Sequence, residues 1–286
     1  MIINGIEELR KLLPSINLRD DSDRLDDFIS RAQSWVTDTI IGTSLETTLE
    51  TEIAENATDS HAKLRVIVKR VIADKAYLMF GDEMNIQLSE AGMVVQHNDN
   101  MAAASVERRN SLMASLNDRL DDGCDALVRM LMNTSTSDGA YADWRSTEQF
   151  AYLTVAFMPT MSELRRHLPP RSNINIHWSD FQNGLLNLSV EMMDLAGGYV
   201  STTEIINLRD LYRSGGLNAI QQQVVESLRD VAACNLAGDG QRALKAAIRA
   251  RKLMLQSLSD FSAFEHSDVF NLQDVDFNAG HIVDTI

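Results

Sequence analysis

Six histidines, two cysteines and a run of aspartates are the side chains of this 286-residue chain best equipped for chemistry. Metal and acid–base sites place such groups at fixed steps, as in HExxH, so that two ligands share one helix face. His61, His97, His167, His177, His266 and His281 are scattered, and none forms a pairing of that kind. Asp20, Asp21, Asp23, Asp26 and Asp27 lack the alternating oxygens, central glycine and terminal glutamate of a calcium loop. They fit a helix start, where carboxylates are favoured by the macrodipole. GDGQRA at 238–243 matches GxGxxA, but a dinucleotide fingerprint needs a strand before it. Residues 231–237 read as helix, so the glycines mark a turn past a helix end. GxxxxGK[ST], GxSxG and CxxC do not occur. Cys124 and Cys234 read as core thiols of a reducing compartment. No catalytic, metal or cofactor-binding set emerges, and nothing asks for an enzyme.

The elements that would position any site are helical. With 4 prolines and 14 glycines the chain has few breakers, and apolar residues recur at three- and four-residue steps. Leu64, Ile67, Val68, Val71, Ile72, Leu78 and Met79 form one such stripe; Leu112, Leu116, Leu120, Cys124, Leu127 and Leu131 form another. Strand signals are confined to Val94–Val95 and 173–177, so the expected class is all-α. On the helix expected over 22–41, Trp35 shares the apolar face with Phe28, Ile29 and Ala32 and is expected to be a core anchor. No apolar run approaches the ~18 residues of a membrane span, and 1–10 is charged where a secretory signal is apolar. The expectation is a protein that stays where it is made.

Charge is segregated. Residues 1–60 carry 13 acidic and 5 basic side chains, 260–286 carry 6 acidic and none basic, and the middle is nearly neutral. A net charge of -15 and a pI near 4.8 disfavour tight binding to a phosphate backbone, although an acidic wall can still face DNA by repelling it. Two basic stretches stand out: His61, Lys63, Arg65, Lys69, Arg70 and Lys75, and then Arg242, Lys245, Arg249, Arg251 and Lys252. Solvated helix faces and docking surfaces for an acidic partner both fit them.

IEELRKLLP at 6–14 returns as MSELRRHLP at 161–169, Gly42 falls against Gly197, and Gly81-Asp82 against Gly238-Asp239. A tandem duplication with a degenerate second copy is expected. The first copy resembles the head-to-tail connector family of tailed phages and prophages. The residues that carry the resemblance are Glu8-Leu9-Arg10 with Leu13, the acid-rich RDDSD at 19–23, and Leu25, Phe28, Ile29, Ala32, Trp35 and Val36 closing at Gly42. The helix 62–81 with Tyr77 near its end adds to them. The resemblance covers roughly 1–132, with a weaker echo over 160–262 that lacks the tryptophan and the acid-rich loop. It implies two tandem helical bundles in a homo-oligomeric ring, usually twelve-fold, beneath a portal protein and joined to tail or stopper proteins. DNA would pass the channel without sequence-specific binding. The implied place is the virion head–tail interface, after assembly in the host cytoplasm.

The expected layout is a helical repeat at 1–135 with an insertion at 84–105, a linker at 136–159, a second repeat at 160–262 and an irregular acidic arm at 263–286. Candidate subunit or portal contacts are Asp20, Asp21 and Asp23 in front, Arg249, Arg251 and Lys252 on the last helix, and Phe264, Phe270 and Phe277 in the arm. Removing the arm after Ser262 is expected to leave the bundles folded. The alternative is a soluble helical adaptor or regulatory protein-binding module.

Overall fold

The computed structural model describes residues 1–13, 22–57, 61–83, 87–89, 92–94, 106–134, 137–170, 172 and 174–271. Asp20, Asp21 and Phe277 lie outside them, as does the side chain of Asp23. The described residues are overwhelmingly helical, which is the all-α class expected. A short antiparallel hairpin, β1 (Gln87–Ser89) and β2 (Gly92–Val94), sits inside the insertion, with Leu88 opposite Met93. The chain divides into two compact units: 1–166 with 173–186, and 167–172 with 187–286.

In the first unit α1 (Ile6–Leu12) and α2 (Ser22–Val36) lead into a π-helical turn, Thr37–Ile41. There follow α3 (Gly42–Ala54), α4 (Ala62–Glu83) and α5 (Val106–Asn133). Leu25, Phe28, Ile29, Ala32 and Val36 of α2 are buried with Leu64, Val68, Val71, Ile72 and Ala76 of α4 and Leu116, Leu120, Cys124, Leu127 and Leu131 of α5. The 3.6-residue period therefore found the right faces, except that Leu112 is 43% exposed. Gly42 has φ +72°, and a Cβ there would meet Gln149 Oε1 at 3.1 Å and Thr147 Cγ2 at 3.2 Å. Only glycine accepts both the left-handed backbone and that approach.

The expected linker is instead part of this core. Residues 136–159 contain α6 (Gly139–Arg145) and α7 (Glu148–Leu153), capped by Asp138 and Thr147. Tyr141, Trp144, Phe150, Leu153, Phe157 and Met158 are all buried. Trp144 is fully buried, donates from Nε1 to the Ile40 carbonyl at 2.7 Å, and meets the Phe150 ring edge-on at 5.0 Å. Trp35, the expected anchor, is only half-buried, with Lys75 Nζ 4.5 Å from its ring centroid. Its neighbours Ala32 and Val36 take the core position, and Trp35 turns to the flank as a cation–π platform.

Two aspartates one turn apart on α5 fasten later helices. Asp125 accepts from the backbone N–H of Met161 at 2.9 Å and of Ser162 at 2.8 Å, at the start of α8 (Met161–His167). Asp121 accepts from Trp178 N at 2.7 Å, at the start of α9 (Trp178–Val200). A carboxylate at a helix N-terminus satisfies donors that the helix itself cannot. Asp125→Ala strands two of them, and we expect a loss of ~1–3 kcal/mol, read as a lower urea midpoint at unchanged slope.

Asp74 on α4 is 4% exposed and pairs with Arg119 Nη2 at 2.8 Å. Burial raises its pKa to about 6, against the opposing pull of Arg119 and Arg70. A carboxyl that binds its proton more tightly when folded favours folding at low pH and loses that contribution as pH rises through about 6. Asp74→Asn should therefore be the more stable protein above that pH, by at most ~3 kcal/mol. The difference should vanish below about pH 4, where both side chains are neutral, and thermal melts across pH 3 to 8 read it.

The second unit holds α10 (Thr202–Ser214), α11 (Ala219–Leu236), α12 (Gly240–Gln256) and α13 (Ser262–Glu265), with short 3-10 turns at Leu258–Asp260 and Asp268–Asn271. Gly197 lies within α9 and Gly81 within α4, so neither ends a helix as their expected pairing required. The chain instead leaves α9 at Ser201, with φ +69°. Residues 238–243 are the expected turn: Gly238 has φ +72°, and Asp239 caps α12 through Arg242 N at 3.1 Å.

The expected arm is partly fixed. Phe261 and Phe264 are fully buried, Phe270 is half-buried and packs edge-on against Phe264 at 5.6 Å, and Phe264 N donates to Glu204 at 2.9 Å. Arg251 is buried too, donating to the carbonyls of Tyr199, Val269 and Phe270 at 3.2, 2.8 and 3.1 Å. As contact residues, Phe264 and Arg251 are corrected: both hold residues 262–271 onto the second unit.

Candidate functional site: a basic cleft on α12

Position within α12 decides which of its cations face outward. Ala243, Ala246, Ala247, Ala250 and Met254 are buried, and small alanines let α12 lie close against α11. The opposite face carries Arg242, Lys245, Arg249 and Lys252, all exposed at steps of three and four. Of the expected contacts, Arg249 and Lys252 are therefore on the surface. α11 is held by a capping box, in which Asn218 accepts from Gln221 N at 2.9 Å and Gln221 accepts from Asn218 N at 3.0 Å.

Beside this stripe lies a cleft of about 450 Å³, walled by Leu168, Pro169 and Pro170 and lined by Asp230, Arg242, Lys245 and Arg249. His167 closes its floor, with Nδ1 2.7 Å from Asp230 Oδ1 and Nε2 3.2 Å from Glu226 Oε2, off the hydrogen-bond axis. Arg249 donates to Ser227 Oγ at 2.9 Å and pairs with Asp230. Burial works against the Asp230 charge, but His167 and Arg249 together hold its carboxyl below the usual range. Arg242 lies 3.3 Å from Asp239, whereas Lys245 has no ion-pair partner among the described residues.

Cys234 also lines this cleft, so a thiol, an imidazole and a carboxylate share one wall. A nucleophilic cysteine needs a lowered pKa. Here burial, and then the charges of Asp230 and Asp239, push the thiol up. What the cleft offers is a cationic surface over a fixed carboxylate.

The basic residues of α4 are placed differently. Arg65 is buried and bound to Glu52 at 2.5 Å, Lys69 is bound to Glu8 at 2.5 Å, and Lys75 covers Trp35. Arg65, Lys69 and Lys75 serve the first unit's interior, whereas Lys63 and Arg70 stay exposed. The acidic front survives in part: Asp26 and Asp27 are exposed at the start of α2.

Among the described residues, three histidines meet carboxylates that sequence spacing could not reveal. Besides His167, His61 lies 2.5 Å from Glu52 and 2.9 Å from Asp138, and His177 lies 2.9 Å from Asp121. Burial opposes the His61 charge, but Glu52 and Asp138 outweigh it and raise the pKa. Asp118, Asp121 and His177 bring ligand atoms within 4.8 Å of one another. Asp121 already receives Trp178 N and His177 through its two oxygens, which is the geometry of a helix cap.

Among the described residues no helix is long and apolar enough to cross a membrane. No curated protein and no solved structure matches the chain. Over residues 21–153, from the front of α2 to the end of α7, it is similar to a family of unknown function (DUF6712).

Proposed function

We propose that this chain is a ring-forming structural protein, a head-to-tail connector of a phage or prophage particle that sits beneath the portal and lines the DNA passage. The observation that carries the reading is that each unit bears its own charged surface, exposed aspartates at the front of α2 in the first and an exposed basic stripe on α12 in the second. Unlike surfaces make heterologous contacts, which close into a ring when the rotation between neighbours divides a full turn. Leu9, Leu13, Leu25, Phe28, Ile29, Ala32 and Val36, which carry the resemblance to connectors, all lie in the first unit's core. The net charge of -15 suits a wall that DNA passes without binding.

The same reading takes the chain as a tandem duplication. α1 to α5 and α8 to α12 run in the same order of short, long, medium, long and long helices. A left-handed residue follows the second helix each time, Gly42 and then Ser201. Ser201 thus replaces Gly197 as the proposed counterpart of Gly42.

Size-exclusion chromatography with light scattering, on the full chain alone and mixed with a portal protein of the same genome, tests the reading. A closed ring in either sample is expected. A monomer or dimer in both would instead fit the soluble adaptor.

A further inference from the structure

We infer that the cleft beside α12 receives the aspartates at the front of α2 from a second copy of this chain. The inference rests on the ring reading and names the contact that would build the ring. The cleft is a shaped recess, and a carboxylate-bearing helix start would enter it between Pro169 and the cations Arg242, Lys245 and Arg249. Asp230 holds Arg249 and the buried His167 in place, so part of the cationic wall is set before a partner arrives.

Lys245, exposed and without an ion-pair partner among the described residues, is the cation most free to pair across the contact. Residues 241–259 contain no acid, so no carboxylate of that stretch competes for the stripe. The occupant follows from charge. Residues 1–60 hold 13 acids against 5 bases, and Asp26 and Asp27 stand exposed at their helix start. One exposed ion pair contributes little, whereas several charges gathered in one recess select the partner and its register.

Sedimentation velocity on the full chain, at low and at physiological ionic strength, tests the contact. Asp27→Lys and Lys245→Glu should each weaken self-association about tenfold, a change of about 1.4 kcal/mol. Both are exposed, and circular dichroism checks that both stay folded. The double variant should recover most of the loss, because the exchanged charges meet again. Association that ignores Lys245→Glu, or that the double variant fails to restore, overturns the docking and leaves the ring reading standing. A wild-type chain that stays monomeric at low salt also overturns it. Open dimers or chains that obey the charge exchange without closing would uphold the docking and remove the ring.

Discussion

Trp144→Ala should cost the first unit ~3–5 kcal/mol, the range for removing a large aromatic from a packed core. The ring is fully buried, meets Phe150 edge-on, and its Nε1 gives the Ile40 carbonyl its hydrogen bond across 104 residues of sequence. Ile40 belongs to the π-helical turn, whose wide backbone has carbonyls to satisfy. Losing the indole opens a cavity and removes that hydrogen bond. Trp35→Ala should cost under ~1 kcal/mol, since it removes a half-exposed ring and one contact with Lys75. Urea denaturation of the two variants side by side gives the comparison, and equal losses would contradict the core described above.

Ending the chain after Ser262 should destabilise the second unit by several kcal/mol, of the order of ~3–5 for the loss of Phe264 alone. Phe264 is fully buried, and its removal leaves Glu204, already raised in pKa by burial, without the N–H that it accepts. Arg251 would also lose the Val269 and Phe270 carbonyls to which it donates. Ending the chain after Asn271 keeps all of these contacts and should leave the thermal midpoint of the unit nearly unchanged. The pair of truncations separates a folding role for 263–271 from an assembly role for the residues that follow.

Periodicity made the long helices of this chain legible, because each buries one face along three or more turns. Leu64, Val68, Val71 and Ile72, or Leu116, Leu120, Leu127 and Leu131, advertise that face in the sequence. The seven- and six-residue helices α6 and α7 are too short to establish a period, and 133–139 (NTSTSDG) announces a loop just before them. Their role comes from Trp144 and Phe150 packing on a distant turn, which no local pattern encodes. The same limit hid the histidine–carboxylate pairs, whose partners lie 56 to 77 residues apart for Asp138, Asp230 and Asp121. Arg251 and Lys252 looked alike as neighbours in a basic run. A 100° step places one under Val269 and Phe270 and the other in solvent. The stripe Arg242, Lys245, Arg249 and Lys252 was visible in its spacing, but the cleft beside it needed Pro169, His167 and Asp230 from two other elements.

The proposed place of this chain is a ring at the head–tail junction of a phage particle. Cryo-electron microscopy of the assembled particle tests that most directly. The expected result is a ring of density beneath the portal, around the DNA path, into which both helical units fit with the start of α2 of one subunit against α12 of the next. Particles complete with portal and tail that lack this density, and lack the chain when their proteins are identified by mass, would contradict it.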